Sequence, residues 1–469
     1  MPEAGSRKPL PPAKVQPVEE PSPPQEPVSP VVAALLPHLA SDPARLVLEV
    51  APEDEMLLAG VEAFGRREIA LVEYFLTGWI VSRLWLRTLE ARFPSLDGLS
   101  ILDFGSGWGR VTRYLAAELP GARIAVADLM SDAVSFQERA FGVEAFPLPK
   151  DPVNAGDERR FDAIFATSVF THLPRQAFVD WMGWLLARLA PGGILAFTTN
   201  RPDVLPGALQ EDCETPFAFG PDSENRRLDA TSYGTTWVRE SFVRGTVESL
   251  RPEAVTLVFP RRVRHFQDLY VVATPPADAS SLRALERDEP QVMLEAAEIM
   301  DSERLGACGW IAVGPTTPPP RRIEVWCAAE RLAETSPGPE RFDLSAALGV
   351  AGLRGWSWSL EVPAGEGGTL GQRPLVLLVV DHDGARWPVL AGRPADWIRQ
   401  PSELARVEAT RRAEFFTRRF EEVASALELS GWERFKLERR IEAMESSRFW
   451  RLRRIWFRVK RALGLPAVE

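Results

Sequence analysis

The stretch Ile101–Arg110, ILDFGSGWGR, decides the fold. An apolar run, Ser100–Phe104, reads as a strand and leads into Gly105, Gly107 and Gly109, and a helical pattern follows over Arg110–Leu119. A strand-to-helix loop of this kind needs backbone freedom and close approach to a ligand, and glycine supplies both. Asp128 stands 19 residues beyond Gly109, at the end of a second strand over Arg123–Ala127. A carboxylate placed there can take the two hydroxyls of a ribose.

Outward from the loop, strands and helices alternate. Ser131–Phe141 reads as a helix, Val143–Pro147 as a short strand and Asp162–Ala166 as a strongly apolar strand. Arg175–Leu189 reads as an amphipathic helix, and Ile194–Thr198 follows a Pro-Gly-Gly turn as another buried strand. A helix over Trp237–Val247 and strands near Ala254–Phe259 and Leu269–Ala273 complete a seven-stranded, Rossmann-like sheet. Buried strands separated by helices are the mark of a mostly parallel sheet covered on both faces. Upstream, Glu53–Phe64 and Glu68–Arg92 carry helical patterning, with Leu71, Phe75, Ile80, Leu84 and Leu86 on a broad apolar face.

The loop discriminates among nucleotide ligands. A dinucleotide fingerprint needs glycine at position 110, where Arg110 stands, and a phosphate loop needs a Gly-Lys-Ser/Thr ending that is absent. Asp103 beside the loop would repel a pyrophosphate and suits a ligand bearing an ammonium and a sulfonium. With these residues in view, the stretch from about 99 to 200 resembles class I S-adenosylmethionine-dependent methyltransferases. The likeness is to bacterial members with LDFGxGxGR and a later SxxxHL. The resemblance implies that Asp103, Gly105, Ser106, Gly107, Trp108 and Gly109 hold the methionine end of S-adenosyl-L-methionine. It implies that Asp128 holds the ribose, that Leu129 borders the adenine, and that Thr167 and Ser168 lie beside the cofactor.

Methyl transfer to a hydroxyl benefits from a general base, and histidine has the right intrinsic pKa. His172, in SVFTHLP after the fourth strand, is the first catalytic candidate; the bland alternative is a loop residue that anchors the next helix. His265 and Asp268, in RHFQDLY, are the others, with an ordinary turn before the last strand as the alternative. Trp108 either faces the sulfonium or packs on the following helix. Tyr233 belongs to a segment, 201–236, too long and polar for a simple connection, which reads either as a substrate-covering loop or as a disordered insertion.

Five regions follow: a Pro-rich disordered tail over 1–45, with helical patterning from Val31; a methyltransferase domain over 46–276; a linker over 277–299; a β-sandwich over 300–397; and a helical region over 398–469. In the fourth, Ile323, Val325 and Cys327, and then Trp356, Trp358 and Leu360, alternate with polar neighbours. That segment resembles small β domains appended to bacterial glycosyltransferases. In the last region Phe416, Phe420, Val423 and Leu427 repeat at coiled-coil spacing. Phe449–Leu463 pairs an apolar face with a run of arginines and lysines, which predicts contact with an anionic membrane surface or a protein partner. The tail resembles those of bacterial polysaccharide-assembly enzymes.

The formal net charge of −10 over 469 residues argues against a nucleic-acid partner. Three scattered cysteines and four histidines predict neither disulfides nor a metal site, and suit a cytoplasmic protein, peripheral on the inner face of the membrane. The N-terminus lacks the pattern of a secretion signal, and no apolar run is expected to reach the roughly 18 residues that span a bilayer. The expected function is methylation of a hydroxyl on a bacterial glycan or its lipid-linked precursor. A small-metabolite or lipid acceptor is the alternative within the same chemistry, and a non-catalytic scaffold in a glycan-assembly complex is the alternative outside it.

Overall fold

A computed structural model describes residues 28–399, apart from 151, 153–158, 202–215, 221–222, 224, 226, 264–266, 277–279, 287–289, 302–303, 316, 345–351 and 364–369. The coiled-coil and basic segments expected beyond residue 400 lie outside the described residues.

The described chain opens on helices α1 (Pro30–Leu35), α2 (Glu55–Phe64) and α3 (Arg67–Arg92). The expected disordered tail of 1–45 is therefore too long, because Val31, Val32, Ala34 and Leu35 of α1 are buried. Asp54 caps α2 by accepting from the Met56 and Leu57 amides, and Gly65 ends it in a left-handed conformation.

The sheet follows: β1 (Ser100–Phe104), α4 (Thr112–Glu118), β2 (Arg123–Asp128), α5 (Ser131–Phe141), β3 (Glu144–Pro147), β4 (Phe161–Ala166), α6 (Arg175–Ala187) and β5 (Leu189–Asn200). A hairpin of β6 (Phe217–Gly220) and β7 (Thr235–Val238) precedes α7 (Glu240–Leu250), β8 (Val255–Val263) and β9 (Gln267–Ala273). Strands β3, β2, β1, β4 and β5 are parallel neighbours in that order; β9 joins β5 antiparallel and β8 pairs with β9. These are the seven strands expected. Among the described residues the sheet has nine, because the β6–β7 hairpin adds to the end of β5 through Asn200 opposite Trp237. The hairpin arises from the long polar segment 201–236 and from the start of the stretch expected as a helix over Trp237–Val247, and its Phe217 and Val238 are buried in the cluster that includes α6 and α7.

Helix α3 ties the molecule together. Its C-terminal half, with Val81, Leu84, Trp85, Leu86 and Leu89, belongs to the apolar cluster that includes Ile101, Val126, Phe165 and Val271 of the sheet. Its N-terminal half, with Tyr74, Phe75, Leu76 and Trp79, belongs to a second cluster shared with a block of antiparallel strands. A helix apolar on most of its circumference is one buried on most of its circumference. By length and composition alone α3 could cross a membrane, contrary to the sequence expectation, and 67% of its most apolar stretch is buried within the protein.

That block comprises β10 (Gln291–Asp301), β11 (Arg304–Val313), β12 (Arg322–Cys327), β13 (Glu330–Thr335), β14 (Arg354–Pro363), β15 (Leu375–Val380) and β16 (Arg386–Gly392). One sheet runs β10-β11-β14 and the other β13-β12-β15-β16. Both sheets contribute to one cluster of buried side chains, which α1 and α3 also enter. Every residue of β15 is buried, which explains why its sequence is a continuous apolar run rather than an alternation. Trp79 of α3 meets Trp387 of β16 edge-to-face at 5.5 Å, and Arg66 and Arg393 make ion pairs with Asp396 and Glu68 across the same boundary. The expected linker over 277–299 is partly structure: Leu282 and Leu285 are buried against the sheet domain, and β10 begins at Gln291.

Candidate functional site

The loop after β1 has the form the sequence predicts. Gly105, Gly107 and Gly109 all have positive φ. At Gly105 a Cβ would lie 2.3 Å from Val169 Cγ2, and at Gly109 2.3 Å from the Phe141 ring. Only glycine satisfies both the backbone and the space at these two points. The Gln137 amide, fully buried on α5, donates to Ser106 Oγ and to the Gly107 carbonyl, at 2.8 and 2.7 Å, and so holds the loop from behind.

Two buried carboxylates frame the loop. Asp103 Oδ2 accepts from the Thr112 hydroxyl at 2.7 Å, and burial pushes its pKa up to about 6. Asp128, at the end of β2, accepts from the Gly107 amide at 2.8 Å and from the Met130 amide at 2.9 Å; burial raises its pKa against the effect of those amides. Leu129 beside it is half-buried. The Trp108 indole packs at 5.9 Å on Phe136 of α5, with Ala51 and Met130 nearby, rather than on the following helix α4.

A cover from the N-terminal region faces this loop, and the sequence reading missed it. Arg113, 1% exposed, donates to the carbonyls of Gly109, Val47 and Glu49 and to the Tyr74 hydroxyl. Tyr74 in turn donates to Asp54 at 2.6 Å, and Asp54 caps α2. The network holds Glu55, the first residue of α2, over the loop: a Cβ on Gly107 would sit 3.7 Å from Glu55 Oε1. Burial raises the Glu55 pKa to about 7, with Asp54 and Asp128 adding to the rise. The Trp108 indole N–H lies near enough to favour the ionised form, yet neither it nor Glu55 Oε2 reaches hydrogen-bond geometry with a partner. The only sequence signal for this cover was the short acidic step Glu53-Asp54-Glu55 at a helix start.

The turn after β4 closes another side. Val169 is the residue against Gly105. The Trp85 indole donates to Thr167 Oγ1 at 3.0 Å, and Ser168, at φ 56°, donates its amide to Thr198 and exchanges a hydrogen bond with Gln267. His172 Nδ1 lies 2.7 Å from the Gly234 carbonyl, so Nδ1 carries the proton and Nε2 is the basic nitrogen of the neutral ring. Tyr233 stacks on the imidazole at 4.6 Å. Elsewhere in the same segment, Arg227 pairs with Asp132 and lies 5.9 Å from the Trp108 ring. Asp268 accepts from the Arg201 guanidinium at 2.8 Å and from the Arg261 amide at 2.9 Å. His265 lies outside the described residues. Among the described residues no group of His, Cys, Asp and Glu is arranged to hold a metal.

Residues 102–195 match the methyltransferase domain family. A curated relative, the trans-aconitate 2-methyltransferase of Azoarcus sp. (strain BH72), is 31% identical over 121 residues, which are 24% of this chain and 44% of the relative. The chain thus spans less than half the length of that relative. Among solved structures, an S-adenosylmethionine-dependent methyltransferase from Clostridium acetobutylicum is 16% identical, covering 42% of this chain and 91% of its own at a TM-score of 0.31. A TehB-like S-adenosylmethionine-dependent methyltransferase from Corynebacterium glutamicum is 17% identical, covering 46% and 98%, also at 0.31. The family match falls on β1 through β5, the strands that carry the Gly loop, Asp103, Asp128 and the His172 turn. This part of the chain is similar to methyltransferase domains.

Proposed function

We propose that the protein is an S-adenosylmethionine-dependent methyltransferase whose acceptor is a hydroxyl of a bacterial glycan or its lipid-linked precursor. The observation that carries the cofactor is the set of buried carboxylates around a glycine loop: Asp103 and Asp128 suit a ligand with cationic groups and ribose hydroxyls, and repel a pyrophosphate. The orphaned Glu55 Oε2 and Trp108 Nε1 leave room for further polar contacts there. Asp103 and Gly105–Gly109 would hold the methionine end, Asp128 the ribose, Leu129 the adenine edge, and Thr167 and Ser168 the flank. When bound, S-adenosylmethionine supplies an electrophilic methyl group on sulfur.

The chain's own share of the chemistry is positioning and proton removal. His172, fixed by the Gly234 carbonyl and the Tyr233 ring, offers Nε2 to take the acceptor hydroxyl's proton. The covering segment carries Tyr233 and Arg227, and reaches from the histidine to the loop. The glycan acceptor rests on the sequence resemblances of the β domain and the tail, and the same tail supports a cytoplasmic, membrane-peripheral location.

A second reading takes a small carboxylic acid as acceptor, and the trans-aconitate 2-methyltransferase likeness favours it. The two readings differ in their need for a base, because a carboxylate is already the nucleophile and a hydroxyl is not. Turnover is measured with S-adenosylmethionine on a panel of glycans and of di- and tricarboxylic acids, for the native protein and His172→Ala. A hydroxyl acceptor is expected to lose about 10²-fold or more in kcat with cofactor affinity unchanged. Turnover on a carboxylic acid with no loss in His172→Ala would replace the glycan reading by the second one.

A further inference from the structure

We infer that Glu55 is a ribose-binding residue of the cofactor site, supplied by the N-terminal cover to work beside Asp128. The inference rests on the S-adenosylmethionine reading above and adds a residue from outside the methyltransferase match.

Three observations converge on it. The Glu55 carboxylate stands over Gly107, the same residue whose amide donates to Asp128 Oδ2, so both carboxylates address one point of the loop. Both Asp128 oxygens already accept a backbone amide, which leaves each with reduced capacity for the two hydroxyls of a ribose. Glu55 Oε2, by contrast, is buried with no hydrogen-bond partner. An acceptor kept out of water and left unpaired costs free energy unless a donor arrives, and ribose hydroxyls are donors.

The position of Glu55 is also built rather than incidental. Asp54, the residue before it, is fixed by Tyr74 and by the α2 amides, and Tyr74 is held by Arg113, which also grips the Gly109 carbonyl. The loop and the carboxylate above it therefore share one buried network. The charged groups facing Glu55 are Asp54 on its own helix, Asp128 from β2, and Arg227 from the covering segment. Arg227 is committed to Asp132 in an ion pair, which leaves the Glu55 carboxylate to the ligand.

The test is calorimetric binding to the full chain and its Glu55→Gln variant. The probes are S-adenosylhomocysteine and methylthioadenosine; the second keeps the ribose and adenine and lacks the amino-acid end. Both affinities are expected to fall by the same factor in Glu55→Gln, about tenfold for one charge-assisted hydrogen bond. A melting temperature at or above that of the native protein shows that the fold is kept. Equal affinity of variant and native protein for both probes overturns the assignment. A loss confined to S-adenosylhomocysteine also overturns it, because Glu55 would then contact the amino-acid end. Failure of the native protein to bind either probe removes the cofactor reading itself, an outcome distinct from a failure of Glu55 alone.

Discussion

The Gly loop and the cover that faces it are built from opposite kinds of sequence information. The loop's signature is local, with Asp103 ahead of it, Thr112 behind it and glycines whose positive φ no other residue adopts cheaply, although Gln137 and Asp128 also hold it. The cover is assembled from residues 47–57, Tyr74 on α3 and Arg113 on α4, joined by hydrogen bonds that span up to 66 residues. The loop alone makes a nucleotide-binding motif. Loop and cover together bring a third carboxylate, that of Glu55, to the point where Gly107 meets Asp128.

The largest effect expected from breaking the loop half comes from Gly109→Val. Its side chain would enter the Phe141 ring and the Gln137 amide from a backbone at φ 79°. Cofactor binding should drop below detection, a loss of about 100-fold or more for strain and overlap of that size. Calorimetry checks it, and retained affinity would mean that the loop does not shape the site.

Arg113→Met tests the joint between the halves. Removing one partner from a buried charged network costs about 3–5 kcal/mol, which urea unfolding would report as a shift in midpoint. An unchanged midpoint would make loop and cover independent. Trp387→Ala tests what stands behind the cover, because Trp387 supports the N-terminal half of α3 through Trp79. A loss of about 3 kcal/mol is expected for an aromatic truncated at that boundary. No loss would show that the antiparallel sheets do not support α3.

The smallest effect concerns pH. Glu55 and Asp103 have pKa values raised to about 7 and 6, above the unfolded carboxylate range. The folded state then binds more protons than the unfolded state between about pH 4.5 and 7, so stability without cofactor falls as pH rises through that window. Glu55→Gln removes its share of the fall. The variant should gain about 1–2 kcal/mol over the native protein at pH 8 and nothing at pH 4. Equal pH profiles for the two would place Glu55 in water rather than in the site.

The same contrast sets what the sequence could and could not disclose. Strand β1, the glycines, Asp128 and the seven main strands were legible because each is a local pattern with a fixed spacing. The β6–β7 hairpin was not, since four-residue strands in a polar segment carry too little periodicity. Asp54, Glu55 and Arg113 were hidden for a different reason. Charged residues at a helix start or in a helix ordinarily face water, and only tertiary packing shows that Arg113 is enclosed by Tyr74, Phe75 and Phe141. His172 was visible as a type and position, while its tautomer and its Tyr233 partner came from the covering segment 62 residues away. The apolar character of α3 was visible too, but not that two separate cores would bury it.

The most direct measurement is a calorimetric titration of the full chain with S-adenosylmethionine. One saturable site with micromolar affinity, weakened at least tenfold in Asp128→Ala by the loss of a charged acceptor, is the expected result. No heat of binding at millimolar S-adenosylmethionine would contradict the assignment of Ile101–Arg110 and Asp128 to that cofactor.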